Sequence, residues 1–445
     1  MSSYNILDKI EASIKLVNNP YQFEEHQLFD MAMRINEKRR FLFVSKVLGK
    51  HLAIAPQLPI LTSELLARRF IELRQQQENA QTAAIVEALK TQEQLQETIE
   101  KIRNSPLNSA TPLKIIGFAE TATALGHAFF NAFTGDVQFV HTTREQLACR
   151  APVITFEEEH SHASSHRVYL HNPAFFDGDG EVVLVDDEMT TGKTNLNIIR
   201  QLHTSFPHLK VFTLVAILDW RNAEHQEAVQ QLAQELNIKI HSVALMSGHF
   251  DAKNIGTLPE PQSLLIGEKT DVLHYFSIAD YVASELVQES SLCSQLEEYK
   301  IPYYMGSGRF SLTSIEQGEM SLRLQTVIPK LVAMRTGKKC LVIGTGEFMY
   351  NPMYVASQMG PDVYYQSTTR SPIYAHEKSL IYNKFVFHSP EFPGVINYLY
   401  NIGTHDYDDI FLMFERILDE GALRELVAAL QKQCRSVHII TFTND

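Results

Sequence analysis

The chain has 445 residues, 44% hydrophobic and 20% charged, which is more than one ordinary core accommodates, so two or three domains are expected. Its formal net charge of −13 argues against a surface that coats nucleic acid, while leaving room for a local basic pocket around a small anion. The four cysteines, Cys149, Cys293, Cys340 and Cys434, are scattered without a CxxC pair, which argues against a disulfide framework or a structural zinc site and fits a reducing cytosol. The stretch MSSYNILDKIEASIK lacks a basic start followed by an apolar run, and no apolar segment approaches the roughly 20 residues that span a bilayer. A soluble cytoplasmic protein without a membrane partner is the expectation.

Residues 20 to 60 carry a basic knot, NEKRR (Asn36 to Arg40), followed by FLFVSKVLGKHLAIAP, whose alternation suggests a strand pair. From Ser63 to about Arg103 the chain is rich in Gln, Glu and Ala, with Ile85, Leu89, Leu95, Ile99 and Ile102 at helical spacing, which predicts one or two amphipathic helices. NSPLNSATP (Asn104 to Pro112) breaks that pattern. Short apolar runs then alternate with helical stretches: LKIIGFAE, TATALGHAFFNAF, DVQFVHTTRE, VVLVDD, NLNIIRQLH and KVFTLVAILDW. This rhythm predicts a parallel sheet covered by helices. Residues 250 to 300 read as a loop and then a helix, SIADYVASELVQ. From Lys338 the rhythm restarts with KKCLVIGTGEF, DVYYQSTTRSP, DDIFLMFE and SVHIITF, a second α/β unit.

VVLVDDEMTTGKT (Val182 to Thr194) runs four apolar residues into two carboxylates and then into a loop of threonine, glycine and lysine. Its GKT tail is not a Walker loop, because Asp187 stands where that motif needs a glycine beside the phosphates. A loop of this kind turns its amides and the hydroxyls of Thr190, Thr191 and Thr194 around a phosphate at a helix N-terminus. The acids would then accept hydrogen bonds from sugar hydroxyls nearby.

VVLVDDEMTTGKT resembles the phosphoribosyl-diphosphate signature of type I phosphoribosyltransferases. That resemblance implies that Asp186 and Asp187 hold the ribose hydroxyls and that Thr190, Thr191, Gly192, Lys193 and Thr194 hold the 5′-phosphate. Lys193 departs from the small residue common at its position. IIGFAETATALGHAF (Ile115 to Phe129) occupies the slot of the pyrophosphate loop, so Glu120, Thr121, Ala122 and Thr123 are candidates there. FLFVSKVLGKH (Phe41 to His51) resembles the hood strand of orotate phosphoribosyltransferases, which points to Lys46 first and Lys50 second as the substrate-facing lysine. HTTRE and FEEEHSHASSHRVY fall in the slot of the mobile catalytic loop, with Arg144 and Arg167 placed to neutralise pyrophosphate. His160, His162 and His166 lie in a segment that must move, so contact with substrate is preferred to a metal site, and no direct metal ligand is expected.

YYQSTTRSPIY (Tyr364 to Tyr374) contains Thr369-Arg370-Ser371-Pro372 and resembles the TRSP domain found behind a divergent phosphoribosyltransferase in bacterial tellurite-resistance and stress-response gene clusters. Gly344 and Gly346, in GTGEF, end a second strand, and with Arg370 and Ser371 they form a possible second anion site. A structural turn, or Ser371 capping a helix with Pro372 at its first position, is equally compatible. The expected fold is α/β: a phosphoribosyltransferase-like parallel sheet covered by helices over 20–248, with a helical insertion at about 63–103, a linker and connecting helix over 249–300, and a TRSP-type α/β domain over 301–445. The resemblance implies a Mg²⁺-dependent enzyme acting on phosphoribosyl diphosphate and an unidentified acceptor, as a homodimer without a nucleic-acid partner. The alternative is a phosphoribosyl-diphosphate sensor that binds without turnover.

Overall fold

Four of the apolar runs and the strand Lys239–Asn254 form one parallel layer. In the computed structural model, which describes residues 2–35, 40–76, 78–157, 165–255, 272–293 and 297–443, the strands lie in the order Val137–His141, Leu113–Gly117, Glu181–Val185, Val211–Asp219 and Lys239–Asn254. All five residues of Leu113–Gly117 and of Glu181–Val185 are buried, as expected of strands covered on both faces. The order reverses between these two strands, and parallel α/β sheets bind ligands at the carboxyl ends flanking such a reversal. Antiparallel pieces extend both edges. A hairpin, Ser2–Ile6 with Ile10–Asn18, pairs with Lys239–Asn254, and Leu312–Thr313 pairs with Val137–His141.

The second sheet is wholly parallel, ordered Leu273–Ser277, Cys434–Thr441, Tyr407–Phe414, Cys340–Gly344 and Val363–Ser367. Its own reversal falls between Cys340–Gly344 and Tyr407–Phe414. The chain is therefore α/β in both units. Two expectations need correction. The helical insertion starts earlier than 63 and contains three helices, Gln57–Gln75, Thr82–Thr91 and Leu95–Arg103, because Gln76 and Gln92 take left-handed conformations that end the first two runs and Gln94, also left-handed, precedes the third. SIADYVASELVQ is not a connecting helix: it forms two three-residue 3₁₀ turns, Ala279–Tyr281 and Ala283–Glu285. Ile278, Ala279 and Val282 are buried there, and the tighter turn places Ile278 and Val282 together in a core shared with Tyr304 and Phe442.

Both units turn their carboxyl ends toward each other. Helix Ala122–Asn131 follows the first sheet's central strand, helix Tyr350–Ala356 follows the second's, and the two pack together with His127 stacked on Tyr350 at 3.7 Å. Loops that precede packed helices are held side by side. Residues 49–54 run along Val363–Ser367 and cover that edge strand: Ile54 and Tyr365 exchange backbone hydrogen bonds at 3.0 and 2.8 Å, and Ser367 N donates to Gly49 O at 2.8 Å.

Buried charges lock this arrangement. Arg309 Nη1 lies 3.1 Å from Glu145 and 2.5 Å from Glu347, and Nη2 lies 2.9 Å from Glu415. Arg416 also pairs with Glu145 and sits over the Tyr303 ring at 3.7 Å. Glycine gives Arg309 its path, since Gly308 has φ +85° and a Cβ there would meet Phe139 at 2.5 Å. Burial opposes ionisation of Glu347, yet Arg309, His141 and the Thr143 hydroxyl hold its carboxyl down to about 2. A carboxyl depressed below its ordinary 4.5 contributes stability that is complete above the ordinary value and is lost as pH falls through about 2. Arg309→Met should cost about 3–5 kcal/mol in urea unfolding, because it leaves buried carboxylates without their shared counter-charge. It should also flatten the acid limb of the stability profile. Stability within about 1 kcal/mol of wild type would show that this network does not hold the two units together.

Candidate active site

The acids predicted to meet a sugar stand at the first sheet's reversal. Asp186 and Asp187 follow Glu181–Val185, both half-buried, and Asp186 Oδ1 accepts from Asp187 N at 2.9 Å. The Asp187 carbonyl takes hydrogen bonds from Ile217 and Leu218, which fixes the turn against Val211–Asp219. Burial pushes the Asp187 carboxyl above its ordinary range, opposed by its hydrogen bond with Asp186 and by the charge of Lys50. The loop then reaches Gly192, which caps helix Lys193–Ser205 at φ +74°. The amides of Thr191, Gly192 and Thr194 make no hydrogen bond among the described residues. They present donors at the positive end of a 13-residue helix, an anion cradle by construction. Beneath it Arg221 is held by Asp219 at 2.6 and 2.8 Å, and a Cβ on Gly192 would lie 2.9 Å from the Arg221 side chain. Lys193 is exposed at the first position of the helix.

Across the reversal, Phe118 to Thr121 link Leu113–Gly117 to helix Ala122–Asn131, and the Ala119–Glu120 peptide is cis. Glu120, Thr121 and Ala122 offer amides that have no acceptor among the described residues, whereas the Thr123 hydroxyl turns back to the Glu120 carbonyl at 3.0 Å. The Glu120 side chain sits among cations. Its Oε1 lies 3.2 Å from Lys50 Nζ, and its Oε2 lies 3.7 Å from Arg144 and accepts from the Arg370 amide at 3.3 Å.

Lys50, second choice in the sequence, is the lysine at this site. Burial pushes its ammonium down from its ordinary value, and Glu120 opposes that shift. Lys46 is placed elsewhere: its Nζ is 3.6 Å from Asp30 within the hood pair Phe29–Met33 and Phe41–Ser45. The strand alternation explains the difference, because Phe43 stacks on Trp220 at 5.1 Å and anchors the hood, and the following turn carries Lys50 inward. Arg144 and Arg167 do come together. Thr143 and Arg167 exchange backbone hydrogen bonds at 2.8 Å, and Arg167 Nη1 donates to the Arg144 carbonyl at 3.1 Å. Arg167 belongs to a ribbon, Ile154–Glu157 with Ser165–Val168. His166 is buried on Phe156 and bonds the Thr142 hydroxyl at 3.0 Å, so it packs inside the ribbon, while His160 and His162 lie outside the described residues.

In the second unit Cys340–Gly344 and Val363–Ser367 are neighbours, which brings the Gly344–Gly346 turn beside Thr368 to Ser371. The Gly346 amide donates to the Thr368 hydroxyl at 2.9 Å. Ser371 caps no helix; its carbonyl accepts from the Tyr400 hydroxyl at 2.6 Å and the chain continues into a bridge with the hood. Sequence reasoning missed Arg309, Glu347 and Glu391. The GSGRF stretch held the available signal for Arg309, an arginine that follows two close-packing glycines.

A family model described as phosphoribosyl transferase matches residues 28–249, and one for the TRSP domain that lies C-terminal to it matches residues 306–430. The chain belongs to the phosphoribosyl transferases that carry a C-terminal TRSP domain. Among solved structures, adenine phosphoribosyl transferase from Trypanosoma brucei, in complex with AMP, pyrophosphate and ribose-5-phosphate, is 16% identical with a TM-score of 0.24. The match covers 33% of this chain and 64% of that one, just under two thirds of its length. Adenine phosphoribosyltransferase from Rhodothermus marinus is 14% identical over 49% of this chain and 94% of that one, with a TM-score of 0.25. Mycobacterium tuberculosis orotate phosphoribosyltransferase bound to 5-phospho-alpha-D-ribosyl 1-diphosphate is 14% identical over 43% and 90%, with a TM-score of 0.18. These scores are too low for the likenesses to bear on activity. No curated protein matches the chain.

The two lysines give a direct test of this placement. Lys50→Met should destabilise the fold by about 3 kcal/mol, because it leaves the buried Glu120 carboxylate without its nearest cation. Lys46→Ala should change stability by about 0.5 kcal/mol or less, as a partly exposed pair would. Thermal unfolding of both variants checks the contrast, and equal effects would contradict it.

Proposed function

We propose that the first domain binds phosphoribosyl diphosphate and transfers its phosphoribosyl group to an acceptor, making or processing a nucleotide-like metabolite. The observation that carries this reading is the continuous order of Asp186, Asp187 and the Thr190–Thr194 cradle at the sheet's reversal. A 5-phosphate held by the Thr191, Gly192 and Thr194 amides places a ribose back toward the two carboxylates, which accept from its hydroxyls. The Glu120 to Ala122 amides, Lys50 and the guanidinium groups of Arg144 and Arg167 then face the diphosphate. In the reaction the acceptor's lone pair forms a bond to the anomeric carbon, and the carbon–oxygen bond to pyrophosphate breaks with its electron pair leaving on oxygen. Charge grows on the leaving group in the transition state, so preorganised cations lower the barrier there. That gathering of cations favours an enzyme over a sensor that binds without turnover.

Mg²⁺ fits this donor set. Among the described residues no group of three or more His, Cys, Asp or Glu side chains could hold a metal, whereas a paired carboxylate beside an anion cradle suits an ion that keeps waters and binds substrate oxygens. The ion would be carried by the substrate's oxygens beside Asp186 and Asp187, which hold the ribose hydroxyls, and it would supply charge neutralisation at pyrophosphate. The reading includes a role in bacterial stress response and a homodimer, for which Ile315 and Leu322, 74% and 64% exposed on one face of helix Ser314–Ala333, provide an apolar surface. No helix among the described residues is long and apolar enough to cross a membrane.

Phosphoribosyl diphosphate with Mg²⁺, at about 100 times its dissociation constant, should raise stability by roughly 2.7 kcal/mol in thermal unfolding. Asp186→Asn and Asp187→Asn should each weaken binding about tenfold or more by calorimetry while melting near wild type. An unchanged melting curve at millimolar ligand, with and without Mg²⁺, would sink the reading.

A further inference from the structure

A cavity of about 210 Å³ opens where the two units meet, and three guanidinium groups line it: Arg144 and Arg167 from the first unit and Arg370 from the second. Arg370 is the least compensated of them. Among the described residues its guanidinium makes no hydrogen bond and no ion pair within 4.0 Å, and it rests over the Phe392 ring at 4.5 Å. Burial pushes its pKa down, which expresses the cost of holding a charge there without a partner. The carboxylates nearby do not remove that charge. Glu145 is committed to Arg309 and Arg416, and Glu120 is shared with Lys50 and Arg144.

An independent observation marks the same cavity. Glu391 lines it, is 4% exposed, and has an Oε2 with no hydrogen-bond partner among the described residues. Burial pushes this carboxyl up to about 8, so at neutral pH it stands mainly as the neutral acid and can donate a hydrogen bond. A Cβ on Gly346 would lie 2.7 Å from that same oxygen, so the Gly344–Gly346 turn closes on the group and leaves no room for a side chain. Phe392, Pro393 and Leu418 give the cavity an apolar wall, with the Phe392 ring against Arg370. At 210 Å³ the space is below the roughly 300–1,000 Å³ of ordinary ligand pockets, and it suits a small acid or the acidic end of a larger molecule.

We propose that this cavity is a second oxyanion site, built jointly by the two domains, which receives a phosphate or carboxylate group of the acceptor. The inference rests on the phosphoribosyltransferase reading for the word acceptor, but the site itself stands on the geometry of Arg370 and Glu391, with Arg144 and Arg167 shared between this cavity and the diphosphate. Glu120 lies between the two places: one carboxylate oxygen is beside Lys50 and the other accepts from the Arg370 backbone. An acid seated on Arg370 would therefore lie within reach of the leaving-group loop, and the acceptor's nucleophilic end would extend from it to the face of the anomeric carbon opposite pyrophosphate.

Calorimetry on the full chain, with inorganic phosphate and with benzoate as probes, tests the proposal. Wild type should bind at least one of the two at a site that Arg370→Gln weakens about tenfold or more, and Arg370→Lys should restore little, because a bidentate fork is lost. Arg167→Gln, on the ribbon, should weaken the same site and carries the test if Arg370→Gln does not fold. Phosphate without benzoate assigns a phosphate ligand, and benzoate without phosphate assigns a carboxylate set against the apolar wall. Arg370-dependent binding in a protein that ignores phosphoribosyl diphosphate would leave this site standing and remove the phosphoribosyltransferase reading. Neither probe binding to wild type, or both binding the Arg370 and Arg167 variants as they bind wild type, would overturn the proposal.

Discussion

Arg309 is buried among carboxylates drawn from distant parts of the chain, and the relation between the two sheets follows from that constraint. Glu145 comes from the end of the first sheet, Glu347 from the glycine turn of the second, and Glu415 from the strand beside it. A buried ion pair gives little net stability against an apolar replacement, yet removing one partner is costly. The network thus acts chiefly on geometry: any other docking of the two sheets would strand charge in the interior. Glu347 extends the constraint into the site, since its carboxylate also takes the Thr143 hydroxyl at 2.6 Å and the Arg144 amide at 2.8 Å.

The result is a pair of facing reversals. Each sheet changes strand order at its centre, each opens a crevice at its carboxyl end, and the packing of helix Ala122–Asn131 on helix Tyr350–Ala356 sets the crevices against each other. The hood completes the enclosure. Its strands are anchored by the Phe29, Phe43 and Trp220 cluster, and the turn that follows delivers Lys50 from the first unit against Met349 of the second. The second domain therefore supplies part of the wall around the leaving-group loop, through the Arg370 amide on Glu120 and the Arg370 side chain in the cavity beyond.

Much of this was legible in the sequence, for local reasons. Strands buried on both faces read as continuous apolar runs, so VVLV, CLVIG and DIFLMF announce themselves, and the DDEMTTGKT turn carries its chemistry within nine consecutive residues. Strand Ile10–Asn18 carried a signal that the sequence reading left unused, the alternation of Ile10, Ala12, Ile14 and Leu16. What local pattern could not supply was partnership over long separations. Lys46 and Lys50 look equivalent until the hood's packing decides which one turns inward. SIADYVASELVQ has helical spacing, but its burial against Tyr304 and Phe442 is satisfied by a tighter turn. Glu391 carries no motif at all, and it acquires a role only where the glycine turn and Arg370 close around it.

The central claim is that the two crevices act as one site, and hydrogen exchange of the full chain with and without phosphoribosyl diphosphate and Mg²⁺ tests it most directly. Ligand bound at the Asp186–Asp187 end should slow exchange at the Thr191 to Thr194 amides and the Glu120 to Ala122 amides, and should also slow it in the second domain at Thr368 to Ser371 through the Glu120 contact. Protection confined to the first domain, with Thr368 to Ser371 exchanging as in the ligand-free protein, would contradict it.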